Sequence, residues 1–153
     1  MIKSALLIVV AMVVIITTTN SFAEDQKICS LEIDHNNDSI PDVFPNGHLD
    51  FSFCDLKGVD MSNRNLVGAN FENANLSGAY FFESNLKDSN FNNAVLYGTN
   101  LQSSNLEGST FKNAILSGSL LRDANAENVD FSNAKLQNEE LYKTYLVNAD
   151  FTN

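Results

Sequence analysis

Histidine and cysteine are scarce in this chain, with two of each in 153 residues. His35 and His48 both precede the patterned part of the sequence, and no glycine-rich phosphate loop occurs anywhere. Carboxylates such as Glu72, Glu83 and Asp88 are scattered rather than paired. That inventory supplies neither a general acid–base pair nor an activated nucleophile, so the chain reads as a non-enzyme. Positive charge is also short. Nine Lys and Arg stand against nineteen Asp and Glu, for a net charge of −10. Such a surface repels polyanions, which argues against nucleic acid or anionic lipid as a direct partner. Long hydrophobic runs are missing too. The one apolar stretch, Ala5 to Ile16, is too short to cross ~30 Å of hydrocarbon as a helix.

That stretch has another reading. Lys3 precedes it, and Ser21-Phe22-Ala23 follows it with small residues three and one before a cut after Ala23. Charged start, apolar middle and small-residue end together predict a signal peptide over residues 1–23. The mature chain is then exported to a periplasmic or extracellular space and leaves no membrane anchor. Losing Lys3 moves the net charge from −10 to −11. In an oxidising compartment an even pair of cysteines points to a disulfide, here Cys29 with Cys54.

What the sequence does contain is a repeat. From Phe51 every fifth residue is Phe, Leu or Met, apart from Ala126. The register runs without insertion to Phe151. A small residue usually sits two places before each centre, as at Ala69, Ala74, Ser84 and Thr99, and Asn or Asp often sits one place before it. A period of five suits neither a helix nor a flat strand; it requires a chain that turns after every fifth residue. A second period of twenty is superposed. It carries Phe51, Phe71, Phe91, Phe111, Phe131 and Phe151, and with them Gly58, Gly78, Gly98 and Gly118. Twenty divided by five gives four sides to a coil and stacks those phenylalanines in one core ladder.

Stretches such as Ala69-Asn70-Phe71-Glu72-Asn73 and Ala74-Asn75-Leu76-Ser77-Gly78 resemble the pentapeptide-repeat family. The resemblance implies an all-β fold over residues 49–153: a right-handed quadrilateral parallel β-helix of about five coils, with the centre and the small residue turned inward. Coils ~4.8 Å apart would make a rod of roughly 25 Å. Residues 24–48 then form an N-terminal cap and linker, stapled to the first coil by Cys29–Cys54. Arg64 and Glu139 fall on inward small positions, where a charge is expensive to bury, and the coil is expected to loosen there so that each reaches water. The chain shows no capping helix after Phe151, so end-to-end pairing of two copies through the C-terminal coil is expected.

Two candidate sites stand out. Asp34, Asn36, Asp38, Ile40 (through its carbonyl) and Asp42 have the spacing of a calcium loop, and the run is similar to the short calcium repeats of thrombospondin type 3. Ser39 in place of a turn glycine and Pro45 in place of the bidentate Glu depart from an EF-hand, which leaves a solvated acidic turn as the other reading. Elsewhere the outward positions are mostly polar, but Val95, Tyr97 and Ile115 on one side, with Tyr80, Phe82 and Leu120 on the next, make a candidate apolar contact patch for a protein partner. The expected function is an exported scaffold or protein-interaction module. The alternatives are a DNA-mimicking topoisomerase binder of the fluoroquinolone-resistance type, which the leader argues against, and a calcium-dependent structural module.

Overall fold

The computed structural model describes residues 49–153. The chain winds as a right-handed, four-sided β-helix in which each five-residue repeat makes one side and one corner. Regular strands are reduced to single parallel bridges. Each bridge joins the residue before one centre to the residue twenty further on, from Asp50 with Asn70 through to Asp130 with Asp150. The period of five thus becomes the sides, and the period of twenty becomes the contact between successive coils.

The corner explains why the repeat is five residues long. After each centre come two turn residues, and the second takes a left-handed conformation: φ is 68° at Gly78, 59° at Asn93 and 57° at Glu83. A left-handed residue in third place is what lets a four-residue turn reverse an extended chain onto a new side. The turn closes with the N–H three residues along donating to the centre's carbonyl, as from Ala74 to Phe71 at 3.0 Å. Asn or Asp before the centre adds a local brace: its side-chain oxygen accepts from the N–H two places on, as Asn90 Oδ1 does from Asn92 at 3.0 Å. This is the turn-forming habit of these side chains. Backbone groups not used in corners pair between coils, for example Phe71 N–H to Asn90 O at 2.7 Å and Asn90 N–H to Ala69 O at 2.9 Å.

Inside, the phenylalanines form a continuous stack. Phe51–Phe71, Phe71–Phe91 and Phe91–Phe111 have ring centroids 4.9, 4.8 and 4.5 Å apart, and Phe111–Phe131 and Phe131–Phe151 follow at 5.2 and 5.1 Å. Phe81 meets Phe71 edge-on at 5.5 Å from the neighbouring side. The small residues fill what remains. Where they are hydroxylic, most return the buried O–H to a carbonyl: Ser84 to Phe81 at 2.7 Å, Thr99 to Leu76 at 2.8 Å, Ser109 to Leu106 at 2.6 Å. A buried hydroxyl is tolerated because it is satisfied. Ala126, the one non-bulky centre, is fully buried. Arg64 and Glu139 are both half-buried.

Candidate interaction surface

The four sides differ in what they show to water. The sides are named here by their second-coil centres. On the Phe71 side, Asp50, Asn70, Asn90 and Thr110 form one column bonded side chain to side chain, with Asn90 Nδ2 donating to Asn70 Oδ1 at 3.1 Å. Lower on that side Lys112 pairs with Asp130 at 2.9 Å. On the Leu86 side, Asn85, Asn105 and Asn125 make a second amide column, and Lys87 reaches Glu107 at 2.8 Å. These two sides are polar, and their side chains are engaged with one another.

The Leu76 and Phe81 sides are different. Between Asn75 and Leu120 the positions flanking their centres carry no charge. The Leu76 side shows Asn75, Val95 and Ile115 in one bridged column, with Tyr97 following Leu96. The Phe81 side shows Tyr80, Asn100 and Leu120 in its column, with Phe82 after Phe81. The corner between them is Gly58, Gly78, Gly98 and Gly118, so no side chain separates the two. Tyr97 is 64 % exposed, Tyr80 50 % and Phe82 37 %, whereas Val95, Ile115 and Leu120 are half-buried by their column neighbours. The six residues lie on two adjacent sides, and the three aromatic rings are the most exposed of them.

A second exposed apolar group occupies the last coil. Leu141, Tyr142, Tyr145, Val147 and Phe151 are all exposed. The sequence pattern marked Phe151 at this end but did not single out the tyrosines. Tyr142 carries Arg122 at 5.5 Å and Lys143 at 5.2 Å from its ring centre, and the stacking of position 142 beneath 122 is the signal that could have revealed it.

Electrostatics within the rod are local. The Ser132 hydroxyl donates to Asp130 and is the larger influence on it; the Lys112 ion pair adds to this, partial burial opposes it, and the carboxyl is held at about 2. Hydrogen bonds from Ser62 lower Asp60 likewise. Lys87 is raised by Glu107, and Lys112 by Asp130. Each is explained by a turn or an ion pair between coils. Among the described residues no group of three His, Cys, Asp or Glu could hold a metal, and no helix is long and apolar enough to cross a membrane.

The remaining sequence-derived sites fall elsewhere. The calcium-loop residues Asp34, Asn36, Asp38, Ile40 and Asp42, the leader and the linker lie outside the described residues, as does Cys29. Cys54 is buried on an inward small position of the first coil.

Comparison with known proteins agrees with this architecture. The family described as Pentapeptide repeats matches across residues 48–81, 74–113 and 114–153. A pentapeptide repeat protein of the Arabidopsis thaliana thylakoid lumen is similar, with a TM-score of 0.64 and 25% identity, over 65% of this chain and 70% of that one. A pentapeptide repeat protein of the cyanobacterium Cyanothece 51142 has a TM-score of 0.31 and 21% identity, over 67% and 87%. QnrB1, a plasmid-mediated fluoroquinolone resistance protein, has a TM-score of 0.42 and 21% identity, over 65% and 58%. No curated protein matches the chain.

Proposed function

Since the chain belongs to the pentapeptide-repeat family, we propose that it is an exported, non-enzymatic scaffold that docks another protein against its aromatic edge. The observation that carries this reading is the exposure of Tyr97, Tyr80 and Phe82 on either side of a bare glycine corner, on the uncharged stretch of an otherwise acidic rod. Interface cores are depleted in charge and enriched in aromatic rings. Tyrosine flanked by Ser, Asn and Gly is also a composition suited to adaptable protein recognition, and here Ser77, Asn100 and Gly98 supply those neighbours. The backbone of the scaffold needs no ordering on binding, because the corners and bridges between coils already hold it.

Export rests on residues 1–23. Their charge and hydropathy pattern supports it, and the similar Arabidopsis protein is described from a lumen. Topoisomerase mimicry has the acidic charge in its favour and the leader against it. Cell fractionation separates the two: a shortened species outside the cytoplasm supports the exported scaffold, and a full-length cytosolic species returns the question to mimicry. The docking test is affinity capture from envelope extract with the mature protein and with Tyr80, Phe82 and Tyr97 all changed to Ser. A bound protein lost on substitution, with the melting curve unchanged, supports the reading; equal capture by both forms removes it.

Two further contacts belong to the same reading. The exposed residues of the last coil suit a second copy meeting it end to end, and sedimentation equilibrium showing a monomer at micromolar concentration would remove that contact. Calcium binding by residues 34–42 is the second of these contacts. Calorimetry with calcium, on the native chain and on Asp38→Ala, tests it: heat lost in the variant supports the site, and no heat in either removes it.

A further inference from the structure

The inward small column that runs through Ala79, Thr99 and Ser119 ends at Glu139. Ala79 needs no partner, and Thr99 donates to Leu76 O at 2.8 Å. Ser119 is fully buried, and its Oγ has no hydrogen-bond partner, unlike its equivalents Ser84, Ser104 and Ser109. In the next coil Glu139 brings a carboxylate to the same column, and its Oε1 is also enclosed without a partner. An enclosed, unsatisfied carboxylate oxygen is among the more destabilising features a coil can carry.

The backbone yields at the same place. At Leu116–Ser119 the corner closes with Ser119 N–H on Leu116 O at 2.8 Å. One coil on, the chain only bends at Asn138, and no corresponding bond joins Glu139 to Leu136. In this coil Leu136 and Leu146 are half-buried and Leu141 is exposed. The other inward positions of this coil, Ala134, Thr144 and Ala149, are small, and Thr144 is bonded to Leu121 O at 2.7 Å. Glu139 is therefore the local defect, in a coil that otherwise obeys the pattern.

We propose that residues 136–153 form a releasable coil that opens as one unit from the rest of the rod, with Glu139 setting how readily it does so. Opening bares the N–H groups of Gly118, Leu121, Asp123, Ala126 and Asn128, which donate to this segment at 2.8–3.0 Å. A bared edge of this kind can pair with another extended segment. The fold thus carries a built-in site for exchanging its end, independent of the aromatic edge.

Native-state hydrogen exchange on the mature protein tests this, because it reads the opening of one segment against the whole. The hydrogen-bonded amides of Glu140, Thr144, Tyr145, Ala149 and Asp150 are expected to exchange together, and at least about tenfold faster than the bonded amides of 91–130. Glu139→Ser, which repeats the residue one coil above, slows exchange of the segment by about tenfold, and Glu139→Gln slows it by less because the side chain is still too long for the column. Equal protection of the two segments in the native chain overturns the inference. So does unchanged exchange in Glu139→Ser, with circular dichroism reporting whether that variant is folded.

Discussion

The coil from Phe91 to Thr110 and the coil from Phe131 to Asp150 are written in the same repeat, yet they are not equivalent. Phe91, Leu96, Leu101 and Leu106 are all sealed from water, whereas of Phe131, Leu136, Leu141 and Leu146 only the first is. Phe91 has a stacked ring on both sides, at 4.8 and 4.5 Å, whereas Phe151, which opens the next turn of the helix, is stacked on one side only, at 5.1 Å, and is 42 % exposed. A centre residue in a solenoid is worth what its two neighbouring coils make of it, which is why such proteins behave as sums of repeat and nearest-neighbour terms.

That contrast can be broken in order of effect. Phe91→Ala removes a ring stacked on both faces and leaves a cavity, and is expected to destabilise the rod by about 3–5 kcal/mol in urea unfolding. Phe151→Ala removes a half-exposed ring with one stacked face and should fall under about 1 kcal/mol. Similar losses from the two would mean that the coils are packed alike. Acid gives the next contrast. Asp130, the residue bridged to the last coil at Asp150, is held at about 2, below its ordinary 3.8. A lowered carboxyl contributes stability that is complete above pH ~4 and is lost as pH falls towards 2. Discounted for its partial exposure, the loss is about 1 kcal/mol, and Asp130→Asn should abolish that part of the acid sensitivity. Unfolding curves of the two proteins at pH 5 and pH 2.5 measure it.

The smallest expected effect has the opposite sign. Phe53 occupies a left-handed corner at φ 61°, while the equivalent corners of later coils have Asn73, Asn93, Asn113 and Asn133. It is also 73 % exposed. Phe53→Asn restores the residue the corner favours and is expected to stabilise by about 0.5–1 kcal/mol. Destabilisation of that size would show that the ring packs usefully.

Much of the rod was legible because the repeat states its own geometry. The centres, the four sides and the phenylalanine ladder follow from two periods that Phe71, Phe91 and Phe111 display directly. The corners were only half legible. Gly78 and Asn93 announce a left-handed residue, but Glu83, Asp88, Ser103 and Lys143 adopt the same conformation with φ near 57°, the first three with their N–H groups paired to the next coil. Side-chain exposure was less legible still. Val95, Ile115 and Leu120 look in sequence like Tyr97 and Tyr80, but shorter side chains stacked within a column cover one another, while the long rings project past it. The defect at Glu139 was visible as a charge on an inward position; that its oxygen shares a column with an unsatisfied Ser119 needed coordinates.

The central claim is that side chains twenty residues apart are stacked neighbours. Nuclear Overhauser contacts between assigned phenylalanine rings test it most directly. The account predicts strong contacts from Phe91 to both Phe71 and Phe111, whose centroids lie within 4.8 Å of its own, and none from Phe91 to Phe51 or Phe131. Contacts that skip a coil, or a Phe91 that meets neither neighbour, would contradict it.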